Sequence, residues 1–192
     1  MAEKVYTSKG VVLLKQAFGE ASISALILTE DFGLVRVRAQ SARLSKGKLR
    51  YALEPLTKGE FSFVRGKEMY RLIGQEVEER LLNNESAQSR RALGQIGRLL
   101  LRLMPGEDVH PNLFRIVCGG FKFISTCENT DIPDAECMMV LSILGALGYL
   151  PEDASLSPLA ARPLSEEVLH EVKGLRPRAV KIINAVLSES GL

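Results

Sequence analysis

The first eighty residues alternate hydrophobic and polar positions in short runs, which is the pattern of half-buried β-strands. The clearest run is GLVRVRA at 33–39, where one face carries valines and the opposite face carries Arg36 and Arg38. Strands are predicted at 5–14, 21–29, 33–39, 60–65 and 69–79. Gly10 is expected to mark a bulge or a bend in the first of them. This succession of short strands favours a small barrel, with the five-stranded OB-fold as first candidate and an SH3-like barrel as second.

After residue 82 the hydrophobic period changes to that of helices. Helices are predicted within 83–106, 110–124, 131–149, 164–174 and 176–189. The proline-containing stretch 150–163 is predicted to be a loop. The largely apolar run 131–149 is expected to be the central, best-buried helix. The chain is therefore predicted to have two domains, an OB-fold barrel at 1–82 and an all-α helical domain at 83–192.

The first predicted helix is amphipathic. Its apolar stripe recurs at helical spacing and consists of Leu93, Ile96, Leu100 and Leu103. The opposite face carries three arginines, Arg91, Arg98 and Arg102. These arginines are interpreted either as an ordinary solvated helix surface or as an auxiliary contact to phosphate groups.

Positive charge is concentrated in one part of the chain. The composition is 46% hydrophobic and 25% charged with a net charge of +2, which is typical of a globular protein and not of a polycation. Residues 34–51, LVRVRAQSARLSKGKLRY, nevertheless hold no carboxylate. Their cations are Arg36, Arg38, Arg43, Lys46, Lys48 and Arg50. Spaced cations separated by small residues match a phosphate backbone, so the stretch predicts either a nucleic-acid contact or a solvated hairpin.

Aromatic residues near this stretch are candidate stacking platforms for unpaired bases. They are Phe32, Tyr51, Phe61 and Phe63. The alternation of Phe61 and Phe63 within a predicted strand favours a place in the barrel core for these two.

No catalytic constellation is found in the sequence. His110 and His170 are isolated, and no nucleophile, base and orienting group can be assigned together. Cys118, Cys127 and Cys137 lack the spacing of metal ligands, so neither a metal nor a cofactor is predicted. Thiols at apolar positions are instead expected to be buried and reduced, as in a cytosolic protein. The N-terminus lacks the apolar core of a signal peptide, and the longest uncharged apolar run is too short to span a bilayer.

The last two predicted helices enclose the sequence KGLRPRAVKII at 173–183. This stretch resembles a helix-hairpin-helix DNA motif, with Gly174 in the turn. Arg176 stands where the motif has its second glycine, which favours an ordinary helical hairpin.

Several short motifs occur in the order found in one protein family. They are Gly-x-Val-Leu at 10–13, Thr-Glu at 29–30, Gly33, the basic loop from Ala39 to Arg43, Leu-Glu-Pro-Leu at 53–56 and Leu-Gly-Tyr at 147–149. Together they resemble the bacterial recombination-mediator family RecO, over most of the chain. Gln40 and Ser41 replace a Lys and a Gly that are usual in the family's loop. The resemblance is to a short member, because the paired cysteines of the zinc-binding insert found in many relatives are absent.

The resemblance implies an N-terminal OB-fold and a C-terminal helical domain in a non-enzymatic protein of DNA repair and recombination. It implies binding to single- and double-stranded DNA, annealing of complementary strands and action together with RecR. It further implies help in loading the recombinase onto strands coated by single-strand-binding protein, with no cofactor and in a cytoplasmic, nucleoid-associated location. The six cations of residues 34–51 would then form the phosphate-tracking loop of the OB-fold. The alternative is a non-enzymatic protein-interaction adaptor whose small barrel binds a peptide.

Overall fold

The N-terminal part of the chain forms a five-stranded barrel. The computed structural model describes residues 4–40, 51–82, 86–104, 106–150 and 156–189. The strands are β1 (Val5–Phe18), β2 (Ser22–Thr29), β3 (Gly33–Ala39), β4 (Thr57–Val64) and β5 (Tyr70–Arg80). They are hydrogen-bonded in the order β1-β2-β3-β5-β4, and β4 also pairs with β1, so that the sheet closes. This is the architecture of an OB-fold, and the predicted fold class is confirmed.

Alternation along the strands fills the barrel with apolar side chains. The inward residues of β2 and β3 are almost completely buried, namely Ile23, Ala25, Ile27, Val35, Val37 and Ala39. Phe61 and Phe63 of β4 lie in the same core. Burying one large apolar side chain contributes about 1.5–3 kcal/mol to folding, so this core fixes the register of the strands and with it the direction of their outward residues.

The irregularity in β1 lies at a different residue from the predicted one. Gly10 pairs regularly with Thr29, and the register shifts only between Val12 and Leu14. A Cβ atom at Gly10 would lie 2.6 Å from Cγ2 of Ile27 and 3.2 Å from the ring of Phe61. The prediction of a bulge at Gly10 is therefore wrong, because a glycine within a strand also allows a close approach of neighbouring side chains.

Residues 104–114 form one compact unit with the barrel residues 1–81, and residues 82–103 and 115–192 form a second unit. Gly33 has a φ of 64°, and the backbone of Glu107 and Asp108 occupies the place of its missing side chain. The hydroxyl of Tyr70 donates a hydrogen bond of 3.1 Å to Oε2 of Glu107. Burial raises the pKa of Tyr70, and the bond to Glu107 raises it further. The segment 104–114 is thus attached both to the β2–β3 turn and to the start of β5.

The rest of the described chain is helical. The helices are α1 (Ala87–Leu103), α2 (Pro111–Thr126), α3 (Ile132–Ala146), α4 (Ser157–Ala160), α5 (Glu166–Val172) and α6 (Arg176–Glu189). Within the second unit, α3 contacts α1, α4, α5 and α6. Leu141, Ile143 and Leu144 of α3 are inaccessible to solvent. The prediction of a deeply buried central helix in this region is confirmed.

The predicted loop at 150–163 contains the short helix α4. Leu156 and Ala160, four residues apart, are both buried and define its inner side. Pro158 lies in the first turn, where its missing N–H costs no intrahelical hydrogen bond. The loop prediction is therefore wrong at Ser157–Ala160, because proline is compatible with the first turn of a helix as well as with a loop. None of the described helices is long and apolar enough to cross a membrane.

Candidate nucleic-acid interface

Strand β3 carries two arginines on the outer surface of the barrel. Val35 and Val37 point into the core, so Arg36 and Arg38 point outward. Arg36 is exposed and Arg38 is half-buried. The predicted alternation of β3 is confirmed, and it directs both cations away from the barrel interior.

Arg38 is held in place by two neighbours at the β1–β2 end of the barrel. Its guanidinium carbon lies 4.9 Å from the centroid of the Phe18 ring. Its Nε and Nη2 atoms each donate to Oγ of Ser22 over 3.4 Å. A guanidinium has five N–H donors, so these contacts orient Arg38 while leaving donors for an anion. A cation above an aromatic face at an exposed site gains about 0.5–1 kcal/mol.

The strand register adds a third arginine that sequence reasoning missed. Strands β3 and β5 pair in parallel, with Val37 opposite Tyr70 and Arg38 opposite Arg71. Arg71 is exposed. Within the sequence it stands alone between Tyr70 and Leu72, and only the pairing of β3 with β5 brings it to Arg38. The strand order of the OB-fold, applied to the sequence, would have identified Arg71 as a neighbour of Arg38.

Two further cations lie in the turn between β4 and β5. Arg65 and Lys67 are both exposed. The positive charge of Arg65 offsets part of the rise in the pKa of Tyr70, at the start of β5. OB-folds bind oligonucleotides on the surface of strands 2 and 3 and on the β1–β2 and β4–β5 loops. We use the name basic face for the cations on this surface and on the adjoining start of β5, which are Arg36, Arg38, Arg65, Lys67 and Arg71.

Four of the six predicted loop cations lie outside the described residues. They are Arg43, Lys46, Lys48 and Arg50. In the sequence they follow β3, the strand that bears Arg36 and Arg38. Their contribution to the basic face stays a prediction.

The aromatic residues divide into core and surface. Phe61 and Phe63 are 0% exposed, which confirms their interpretation as core residues and excludes them as stacking platforms. Phe32 is half-buried and meets the ring of Phe63 edge-on, with 5.6 Å between centroids. Tyr51 is 52% exposed, and the guanidinium of Arg80 lies 5.5 Å from its ring centroid. Among the four predicted aromatics, Tyr51 therefore offers the accessible ring.

The later half of β5 is acidic. Glu76, Glu78 and Glu79 follow one another closely there, and Glu60 of β4 pairs with Glu76. Nζ of Lys58 lies 2.9 Å from Oε2 of Glu78 and 3.6 Å from Oε1 of Glu79. The hydrogen bond from Lys58 lowers the pKa of Glu78. Because charge changes sign along β5, a polyanion is attracted to the Arg71 end and repelled from the Glu76 end.

Helix α1 has the predicted two faces. Its apolar stripe is at most 4% exposed and consists of Leu93, Ile96, Leu100 and Leu103. Arg91, Arg98 and Arg102 are all exposed. The predicted amphipathic face is confirmed, whereas a phosphate contact by these arginines stays a prediction.

Metal-binding and nucleophilic groups contribute little to the described surface. In the described ranges, no group of three or more His, Cys, Asp or Glu side chains is placed to hold a metal ion.

Cys137 is buried, as predicted, and burial raises its pKa to about 11. Burial also raises the pKa of Cys127. Cys118 and Cys127 are half-buried and not fully buried as predicted. A raised pKa keeps a thiol protonated and unreactive near neutral pH.

The strand order, the closed barrel and the cations on its β3–β5 surface define an OB-fold protein with a helical region following in the sequence. Residues 1–79 match the family model of the N-terminal part of recombination protein O. The resemblance to RecO is confirmed, and it rests on this match of residues 1–79 and on the relatives that follow.

Curated relatives extend the similarity beyond the barrel. A DNA repair protein RecO of Dehalococcoides mccartyi is 30% identical over 152 residues, which are 77% of this chain and 58% of the relative. The RecO protein of another strain of that species is 27% identical over 150 residues, with the same two shares. The RecO protein of Thermodesulfovibrio yellowstonii is 27% identical over 152 residues, which are 77% of this chain and 59% of the relative. The chain spans about three fifths of the length of these relatives.

Proposed function

We propose that this protein is a DNA-binding recombination mediator of DNA repair that acts without catalysis. The observation that carries the proposal is the parallel pairing of Arg38 with Arg71 on the outer surface of an OB-fold. Arg36 extends this pair along β3, and Arg65 and Lys67 extend it into the β4–β5 turn. Cations at these positions follow a strand backbone, and their phosphate contacts fix its path without reading its sequence.

The bound nucleic acid is proposed to include both single and double strands. Phosphate contacts to the basic face are common to the two forms, because both carry the same charged backbone. A protein that neutralises the phosphates of two complementary strands lowers their mutual repulsion, which favours annealing. Annealing is therefore part of the proposal.

The proposed partners follow the confirmed family resemblance. They are RecR and, at strands awaiting the recombinase, single-strand-binding protein. Action on chromosomal DNA places the proposed function in the cytoplasm, at the nucleoid. No cofactor is proposed, because charge neutralisation and strand positioning require none.

Binding of a labelled single strand at several salt concentrations tests the DNA contact. The variant R36Q/R71Q removes two charges from the basic face and keeps Arg38, whose side chain packs on Phe18. If each arginine neutralises one phosphate, the slope of log affinity against log salt should flatten by about 1.4, since one single-strand contact contributes about 0.7. The control R115Q/K122Q removes two exposed cations from α2 and should keep the parent slope.

The loop cations are tested separately. Replacing Arg43 and Lys46 with Ala should flatten the same slope by about one to two units. The loss should be similar for strands of different sequence, because phosphate contacts do not read bases. If R36Q/R71Q and R43A/K46A both bound single strands with the parent affinity and slope, the DNA-binding proposal would be refuted in favour of the adaptor.

A further inference from the structure

The hairpin of α5 and α6 is built as a rigid unit. Oγ of Ser165 caps α5 by accepting a hydrogen bond of 3.3 Å from the amide of Val168. Gly174 has a φ of 88°, a conformation that favours glycine, and the amide of Leu175 donates to the carbonyl of Val172 over 2.8 Å. The inner side is apolar and buried, and it consists of Val168, Leu169, Val172, Ala179, Ile183 and Val186.

The second half of this hairpin is strongly basic. Residues 173–188 contain four cations and no carboxylate. The cations are Lys173, Arg176, Arg178 and Lys181, and all four are exposed. The second unit as a whole is not basic, since residues 82–103 and 115–192 hold 11 Lys and Arg against 11 Asp and Glu. The charge is therefore a local property of the hairpin.

Two of the four cations face carboxylates of the α3 region. Nζ of Lys173 lies 3.9 Å from Oδ1 of Asp131. Arg176 lies near Glu136. Burial raises the pKa of Glu136, and the charges of Arg176 and Arg91 offset only part of this rise. These two cations fasten the turn of the hairpin to the start of α3.

Arg178 and Lys181 are placed differently. At 100° per residue they lie about 60° from each other. Lys181 is opposite the buried stripe of α6, and Arg178 is on the flank of that stripe, about 100° from Ala179. Ala185 and Ser188 share this exposed side, so small residues continue the surface beyond the two cations. Neither Arg178 nor Lys181 has an ion pair with any residue of the described chain. Their charges are available to a ligand.

We infer that the exposed side of the α5–α6 hairpin binds the phosphate backbone of duplex DNA through Arg178 and Lys181. Residues 173–189 contain no aromatic residue, so the surface has no platform on which unpaired bases could stack. A rigid helix with two cations and small neighbours can approach the regularly spaced phosphates of a duplex. This inference rests on the proposed DNA-binding function and assigns a second contact to the helical unit. It also accounts for the basic outer side of a hairpin that lacks the second glycine of the helix-hairpin-helix motif.

Salt-dependent binding of a labelled 20-base-pair duplex tests the assignment in the full chain. The variant R178Q/K181Q should flatten the log–log salt slope for the duplex by about 1.8, since each contact to duplex DNA contributes about 0.9. Binding of an unpaired strand should change little. The control R115Q/K122Q again removes two exposed cations from one helix and should keep the parent slope. Circular dichroism of each variant checks that the helices are retained.

The outcomes separate the hairpin from the barrel. If R178Q/K181Q keeps the parent slope for the duplex while R36Q/R71Q weakens single-strand binding, the hairpin inference is wrong and the barrel proposal stands. If the reverse holds, the hairpin contact stands without the barrel contact. An equal loss in R115Q/K122Q would show that overall charge governs duplex binding, and would also overturn the hairpin inference.

Discussion

The guanidinium of Arg38 rests on the ring of Phe18, with 4.9 Å between the guanidinium carbon and the ring centroid. This contact joins the last residue of β1 to the outer surface of β3. It also fixes a long cationic side chain that would otherwise lose rotamer freedom on binding an anion. The position of Arg38 in the basic face therefore depends on a residue that carries no charge.

Replacing Phe18 with Leu should weaken single-strand binding two- to five-fold, because a cation–aromatic contact of about 0.5–1 kcal/mol no longer orients Arg38. Fluorescence anisotropy at fixed low salt measures the change. Phe18→Tyr keeps the ring and is the matched control. Equal affinities of the Leu and Tyr variants would show that the ring does not position Arg38 for binding.

A methyl group at Gly10 should destabilise the barrel. The Gly10→Ala side chain would meet Ile27 and Phe61 in a filled core, and overpacking of this kind costs about 1–3 kcal/mol. Gly119→Ala is the control, because no atom lies within 4 Å of the added carbon in α2. That substitution should stabilise the helix by about 0.5–1 kcal/mol. Urea unfolding of both variants gives the comparison, and similar free energies of unfolding would rule out the close packing at Gly10.

The core of the second unit should not tolerate a charge at Leu141. This side chain is fully buried in α3, and Leu141→Asp would place an unpaired carboxyl group among apolar neighbours at a cost of several kcal/mol. Thermal unfolding followed by circular dichroism measures the loss. Ala87→Asp adds the same charge to the exposed first turn of α1, where an acidic residue is favourable, and should leave stability within about 0.5 kcal/mol. An unchanged melting temperature for Leu141→Asp would show that this part of α3 is accessible.

The thiol of Cys137 should resist alkylation in the folded protein. With its pKa raised to about 11, only about one thiol in a thousand is ionised at pH 8. The unfolded state, with an ordinary thiol pKa near 8.5, releases its proton first as pH rises. Cys137 therefore has no effect on stability below about pH 8 and lowers it progressively between about pH 8.5 and 11. Mass spectrometry after iodoacetamide treatment, native and in denaturant, identifies the modified thiols. Rapid native modification of Cys137 would contradict its burial.

Much of the fold could be predicted because local patterns agree with it. The strand limits at 33–39 follow from strict alternation, and the apolar stripe of α1 follows from helical spacing. Gly10 and α4 could not be predicted in the same way. A glycine in a strand has two structural meanings, and Pro158 is compatible with the first turn of a helix as well as with a loop.

Only part of the candidate site could be predicted from the sequence. Arg36 and Arg38 are neighbours in the chain, so alternation assigned them to one side of a strand. Arg71 joins them through the pairing of β3 with β5, a contact between segments distant in sequence. Phe18 likewise reaches Arg38 only through the barrel, and no local pattern marks it as a partner of a cation.

Closure of the barrel depends on a short seam. In the described part of the chain, β3 and β5 pair only through Val37 with Tyr70 and Arg38 with Arg71. Like charges on facing residues oppose such pairing, so the seam should be a place of local opening in the protein without ligand. A phosphate chain lying across both arginines would cancel their repulsion and clasp the two strands together. Amide protons of the seam should then exchange with solvent more slowly in the complex than in the free protein. The rate of local opening between β3 and β5 would therefore report directly on nucleic-acid binding.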